Sequence, residues 1–92
     1  MIRSFGGRRT EALWRGRRVP AFEAFRERAE RKLVILDAAT TLETLGALPG
    51  NRLEALRGDR KGQYSIRISD RWRVCFRWQD GDAYDVEIVD YH

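Results

Sequence analysis

The sequence predicts an α+β domain in which N-terminal helices pack on one face of a small, twisted, antiparallel-rich sheet. Two observations predict it. Apolar residues recur at three- and four-residue steps over residues 20–38, and from residue 64 onward they alternate with polar ones through three successive runs. Helices first and strands afterwards, with no repeating strand–helix–strand unit, is the order of an α+β chain. Ninety-two residues suit one domain, so 1–92 is read as a single domain.

Ile2–Phe5 reads as a short first strand and Thr10–Arg15 as a weak helix carrying Leu13 and Trp14. Pro20 suits the first turn of a new helix, where its missing N–H has no partner to lose. From Pro20 to Ala38, Phe22, Phe25, Ala29, Leu33 and Leu36 form one apolar face. The other face carries Glu23, Arg26, Glu27, Glu30 and Arg31, spaced for ion pairs along the helix. Thr40-Thr41-Leu42-Glu43 fits a capping box and predicts a short helix through Leu45, which Pro49-Gly50 ends.

Leu53–Leu56 reads as a strand, followed by the turn-rich run Arg57-Gly58-Asp59-Arg60-Lys61-Gly62. Tyr64, Ile66 and Ile68 then alternate with Ser65, Arg67 and Ser69, and Trp72, Val74, Phe76 and Trp78 alternate with Arg71, Arg73, Cys75 and Arg77. Tyr84, Val86 and Ile88 alternate with Asp85, Glu87 and Val89. Such alternation marks a sheet with one packed and one wet face, with Tyr64 and Trp72 read as core. A two-residue Asp80-Gly81 turn would set Phe76 opposite Asp85 and mix the faces. An odd-length loop with Gly81 in a left-handed conformation is therefore expected, keeping Tyr84 on the side of Phe76.

The net charge is +4, and its distribution is more informative than its total. Residues 57–78 hold seven basic and two acidic side chains, whereas 79–92 hold five acidic ones and no Lys or Arg. Sixteen of the eighteen basic residues are arginine, whose planar fork fits phosphate, so nucleic acid is a natural partner class. Packing the apolar face turns Arg67, Arg71, Arg73 and Arg77 outward, next to Arg60 and Lys61, as candidate RNA-binding residues. Pairing of those arginines with Asp85 and Glu87 across the strands is the competing reading. One cysteine and one histidine exclude a disulfide framework and a zinc centre, so no metal and no cofactor is expected. No apolar run reaches signal-peptide or transmembrane length; a cytoplasmic protein without membrane association is expected. His92, in the closing Asp90-Tyr91-His92, is the natural proton carrier near neutral pH.

The stretches Leu56-Arg57-Gly58-Asp59-Arg60-Lys61-Gly62, Tyr64-Ser65-Ile66-Arg67, Trp72-Arg73-Val74-Cys75-Phe76 and Val86-Glu87-Ile88-Val89-Asp90-Tyr91-His92 resemble the HigB toxin family of the RelE/ParE-like superfamily. The opening Met1-Ile2-Arg3-Ser4-Phe5 is similar as well. The resemblance implies a compact RelE-like fold that cleaves mRNA in the A site of the 70S ribosome. It also implies neutralisation by a HigA-like helix-turn-helix antitoxin. The family's active-site positions fall on Arg57, Arg73, Asp90, Tyr91 and His92. Glu54 stands where some members carry histidine, which leaves its role open between base, orienting group and bystander.

The chemistry asks for no metal, because RNA carries its own nucleophile in the 2′-hydroxyl. Arg73 with Arg57 would neutralise the phosphorane, and His92 would protonate the leaving oxygen. Asp90 or Glu54 would be the base, and Tyr91 would stack on a base or donate a hydrogen bond. Two alternatives use the same basic face without chemistry: an RNA- or ribosome-binding module, and a protein-binding domain that meets an acidic partner.

Overall fold

The computed structural model describes residues 1–91. Helix α1 spans Arg8–Trp14, α2 Arg26–Ala38 and α3 Leu42–Ala47, followed by strands β1 (Glu54–Ala55), β2 (Tyr64–Arg67), β3 (Trp72–Gln79) and β4 (Asp82–Asp90). The strands form one antiparallel sheet in the order β1-β2-β3-β4. Its packed face contributes Ile66, Ile68, Val74, Phe76, Ala83, Val86 and Ile88 to a core completed by Leu13, Ala29, Leu33, Leu36 and Leu45 from the helices. Full burial of each such leucine contributes about 1.5–3 kcal/mol. Tyr64 and Trp72 pack against this cluster, in agreement with their reading as core.

The expected helix over 20–38 divides in two. Pro20–Phe25 is a 3₁₀ segment, and the α-helix proper begins at Arg26. The tighter winding, with three residues per turn, sets Phe22 and Phe25 on one line. Their rings lie 5.7 Å apart and meet Trp72 at 5.7 and 4.8 Å, so both aromatics reach one partner on β3. The apolar face is as expected: Phe22, Phe25, Ala29, Leu33 and Leu36 are all buried.

Other boundaries also differ from expectation: α1 begins at Arg8 where Thr10 was expected, and α3 runs on to Ala47. The cap of α3 is Thr41, whose hydroxyl accepts from the Thr44 amide at 3.1 Å, so the box based on Thr40 and Glu43 is one residue out of register. The strand expected over Leu53–Leu56 shrinks to Glu54–Ala55. Ile2–Phe5 makes only two isolated parallel bridges, Ile2 with Ala83 and Phe5 with Val86, along the free edge of β4. Gly6 allows that close approach, since a Cβ there would stand 2.9 Å from the Asp85 carbonyl oxygen.

The β3–β4 connection corrects the sequence reading. Gln79 pairs with Asp82, so the turn is the two-residue Asp80-Gly81, with φ of 52° and 81°. Both residues are left-handed, as a hairpin turn of matching twist requires. The register then shifts by one between Cys75 and Arg77, where Phe76 faces the bulged pair Asp85 and Val86. Asp85, at φ 53°, is the extra residue. Its amide donates to the Ser4 hydroxyl at 2.8 Å, and its carboxylate meets Arg77 at 3.2 Å. The bulge does the work expected of an odd-length loop: Val86 and Ile88 return to the core side. Tyr84 does not, because it lies opposite Arg77 on the other face, and Ala83 occupies the core instead.

Candidate active site

The second face of the sheet is not simply wet. Ser65, Arg73 and Cys75 are buried at its centre, although they alternate with core residues as polar positions should. Register places Glu54, Ser65, Cys75 and Glu87 in one row across all four strands, with Arg67, Arg73 and Val89 in the next.

Most of the arginines expected to bind phosphate already hold a carboxylate. Arg67 pairs with Asp70, Arg60 with Glu87 at 3.3 Å, and Arg77 with Asp85 at 3.2 Å. Arg71 grips Asp90 through two hydrogen bonds of 3.2 and 2.6 Å. That hydrogen bond, then the charge of Asp90, pushes the Arg71 guanidinium above its ordinary range. The competing sequence reading, pairing with Asp85 and Glu87, is thus realised for Arg77 and Arg60, while Asp70 and Asp90 take Arg67 and Arg71. Exposed pairs of this kind contribute between about 0 and 1 kcal/mol each, so they give way readily to a phosphate.

Arg73 is different. It is 8% exposed, and its close partners are neutral: Nε donates to the Ser65 hydroxyl at 2.7 Å, and Nη2 donates to the Arg52 carbonyl at 2.6 Å. Among the described residues its nearest carboxylate is Glu54, 4.0 Å away with a side chain that is 56% exposed. The Tyr91 ring lies 6.0 Å from the guanidinium carbon, at the range of a cation–π contact. Register also sets Arg73 opposite Arg67, and the two cations turn to different partners. A buried cation whose nearest counter-ion among the described residues stands 4.0 Å away on an exposed side chain is electrostatically costly, and an incoming anion relieves that cost.

The structure therefore brings Arg73, Glu54 and Tyr91 together. It does not bring Asp90 to them. Asp90 pairs with Trp72 in the register, which places its side chain on the helix-facing side, where it holds Arg71. Arg57 and Lys61 are exposed in the loop before β2, with no ion pair among the described residues. His92 lies outside the described residues. It follows Tyr91, whose amide donates to the Arg71 carbonyl.

The surroundings are cationic. Lys32 donates to the Asn51 side chain at 2.6 Å, and its ammonium is held below the ordinary range by burial, then by Arg31 and Arg67. Cys75 is buried next to Arg73, and burial pushes its thiol upward, which keeps it protonated and inert. Among the described residues no group of three His, Cys, Asp or Glu side chains could hold a metal ion, and no helix is long and apolar enough to cross a membrane.

Sequence reasoning missed Ser65 and Arg52. Alternation marked Ser65 as polar but not as a partner of Arg73. Arg52 takes φ 44°, a conformation more often adopted by Asn or Gly, and only its position after Pro49-Gly50-Asn51 hints at a turn.

With this geometry in hand, comparison with known proteins identifies the chain's kin. Residues 15–92 match the family described as RelE-like toxin of type II toxin–antitoxin system HigB. Toxin HigB-1 of Vibrio cholerae serotype O1 (strain ATCC 39315 / El Tor Inaba N16961) is 51% identical over 53 residues, 58% of this chain and 56% of that protein. The match thus spans little more than half the length of the Vibrio relative. Endoribonuclease HigB of Proteus vulgaris is 36% identical over 74 residues, 80% of this chain and 77% of that one. Among solved structures, a YoeB–YefM complex from Staphylococcus aureus matches with a TM-score of 0.58 at 16% identity, covering 100% of this chain and 98% of that one. A heterotetrameric YoeB–YefM complex from the same organism gives 0.59 at the same identity and coverage. At that identity the likeness shows the fold, which is RelE-like as expected. The chain belongs to the HigB-like toxin family, the RelE-like toxins of type II toxin–antitoxin systems.

Proposed function

We propose that this protein is a ribosome-dependent mRNA endoribonuclease that acts in the A site of the 70S ribosome and inhibits translation. In this reading it is a single cytoplasmic domain that needs neither metal nor cofactor, and a HigA-like helix-turn-helix antitoxin neutralises it. The observation that carries the proposal is the state of Arg73: buried, cationic, tied to neutral acceptors, and flanked by an exposed carboxylate and an aromatic ring.

The 2′-hydroxyl oxygen of one nucleotide attacks the adjacent phosphorus. A new O–P bond forms, the bond to the 5′-oxygen breaks, and the products are a 2′,3′-cyclic phosphate and a 5′-hydroxyl. Arg73 stabilises the extra charge of the phosphorane. Glu54, 4.0 Å from Arg73, takes the 2′-hydroxyl proton; Asp90, the other candidate base, is engaged with Arg71 on the other side of the sheet. His92 gives a proton to the departing 5′-oxygen. Positioned proton transfer of this kind contributes about 10²–10⁴-fold. Tyr91 offers its ring to a nucleobase. Arg57 adds its charge to that of Arg73, and Arg60, Lys61, Arg67, Arg71 and Arg77 hold neighbouring phosphates, the paired ones after exchanging a carboxylate for a phosphate.

Mapping transcript ends after brief induction tests the reading. New ends on translated mRNA are expected, lost in Arg73→Ala and His92→Ala together with the growth arrest. If both variants stay fully toxic at equal expression, the site is wrong. Salt-sensitive RNA binding without new ends would indicate a binding module.

A further inference from the structure

We infer that Ser65 and the backbone carbonyl of Arg52 are positioning residues that hold Arg73 with one end of its guanidinium turned to the substrate; this rests on the reading of Arg73 as the phosphate-stabilising group. In arginine, the Nε–H and the near Nη2–H point along the same edge of the planar fork. Here that edge is occupied by the protein: Nε by the Ser65 hydroxyl at 2.7 Å, and Nη2 by the Arg52 carbonyl at 2.6 Å, with the Ser65 carbonyl at 3.4 Å. Among the described residues, Nη1 is the guanidinium nitrogen with no hydrogen bond. A phosphate therefore meets Arg73 at its Nη1 end, not at the side edge.

Both acceptors are themselves fixed. Ser65 is fully buried and sits mid-strand between β1 and β3, paired with Glu54 on one side and Cys75 on the other. Arg52 owes its carbonyl direction to a left-handed backbone, φ 44°. The residue before it is anchored from several sides. Fully buried Asn51 donates to the Leu45 carbonyl at 3.0 Å and accepts from Lys32 Nζ at 2.6 Å, and its own carbonyl accepts from the Arg67 amide at 2.7 Å. A chain of polar contacts thus runs from α2 through Asn51 to the Arg73 guanidinium. Such support orients a group before substrate arrives, so its loss shows in the chemical step more than in binding.

The experiment is single-turnover cleavage of mRNA on programmed ribosomes, with exchange protection of the Arg73 Nε–H read by NMR on the purified chain. Ser65→Ala is expected to lower kcat about ten- to a hundredfold, with KM within about threefold of the parent and the Nε–H no longer protected. Ser65→Thr, which keeps the hydroxyl, is expected to restore most of both. Arg52→Val, which resists the left-handed backbone, should lower kcat more than Arg52→Gly, and it keeps the inference testable should Ser65→Ala fail to fold. Parental kcat in Ser65→Ala and Arg52→Val alongside an inactive Arg73→Ala would overturn the positioning role and leave the proposed activity standing. A loss confined to KM would overturn it as well. Full cleavage by Arg73→Ala would remove the underlying reading itself, and the positioning role with it.

Discussion

Replacing Arg73 with Met separates stability from activity, because the guanidinium's interactions nearly cancel in the fold but not in the reaction. Two hydrogen bonds from a charged donor, at 2.7 and 2.6 Å, contribute about 1.5–3 kcal/mol each. The exposed Glu54, at 4.0 Å, adds less than about 1 kcal/mol. Against these stands the desolvation of a cation that is 8% exposed, which costs several kcal/mol. Methionine keeps most of the stem's packing and removes the charge, but leaves the buried Ser65 hydroxyl without its donor, at about 1–3 kcal/mol. With the hydrogen bonds and the desolvation offsetting each other, the unsatisfied hydroxyl leaves a destabilisation of about 1–3 kcal/mol, roughly 4–24 °C in Tm for a domain of this size. Activity has no such compensation, and loss of one preorganised charge-stabilising group is expected to lower kcat about 10²–10³-fold. Urea unfolding and ribosome-programmed cleavage, run on the same preparation, give both numbers. A destabilisation above about 4 kcal/mol would refute the reasoning: Arg73 would then be a structural clamp, and its burial would no longer argue for a waiting anion.

The remaining predictions concern the sheet and its titrating groups. Asp85→Val should destabilise by about 1–3 kcal/mol, because a β-branched residue resists φ 53°; Asp85→Gly should be near neutral, as easier backbone offsets a lost exposed pair, and equal effects in urea unfolding would argue against the bulge. Cys75 has a folded-state pKa raised chiefly by burial, so above the unfolded value of about 8.5 the native state holds the proton more tightly and stability falls as pH rises. Thiol labelling of the native protein should proceed only at the opening rate; rapid labelling at pH 8 would contradict this. Asp82 is held below the ordinary carboxylate range by its hydrogen bond to Arg3, then by the amino terminus. Its contribution is present above the unfolded value of about 3.9 and lost as pH falls through the lower folded value. Asp82→Asn should flatten that part of the acid limb, and an unchanged acid profile would show the pair to be idle.

Legibility in the sequence followed the range of the interaction responsible. The buried face of Phe22, Phe25, Ala29, Leu33 and Leu36 was readable because burial repeats with the backbone's own period. The switch to 3₁₀ winding before Arg26 was not, since it answers to Trp72, about fifty residues away. Asp80-Gly81 was visible as a turn, yet its length was misjudged because an aspartate in a left-handed bulge carries no local mark. The same bulge sent Tyr84 to the other face. At the site, spacing alone made Arg67, Arg71, Arg73 and Arg77 equivalent. Family resemblance selected Arg73, and coordinates supplied the physical distinction: Asp70, Asp90 and Asp85 satisfy the other three, leaving Arg73 to Ser65 and a carbonyl. Asp90 shows the opposite limit: the resemblance names it, yet register sets it opposite Trp72, on the other side of the sheet from Arg73.

The bridges from Ile2 and Phe5 to Ala83 and Val86 join stretches far apart along the chain. A growing polypeptide cannot close this seam until β4 has emerged, and closure across so long a loop comes late in folding. The Ser4 hydroxyl that receives the Asp85 amide stays unmatched until then. The edge of β4 and the bulge beside it are thus finished by a stretch of chain made long before them.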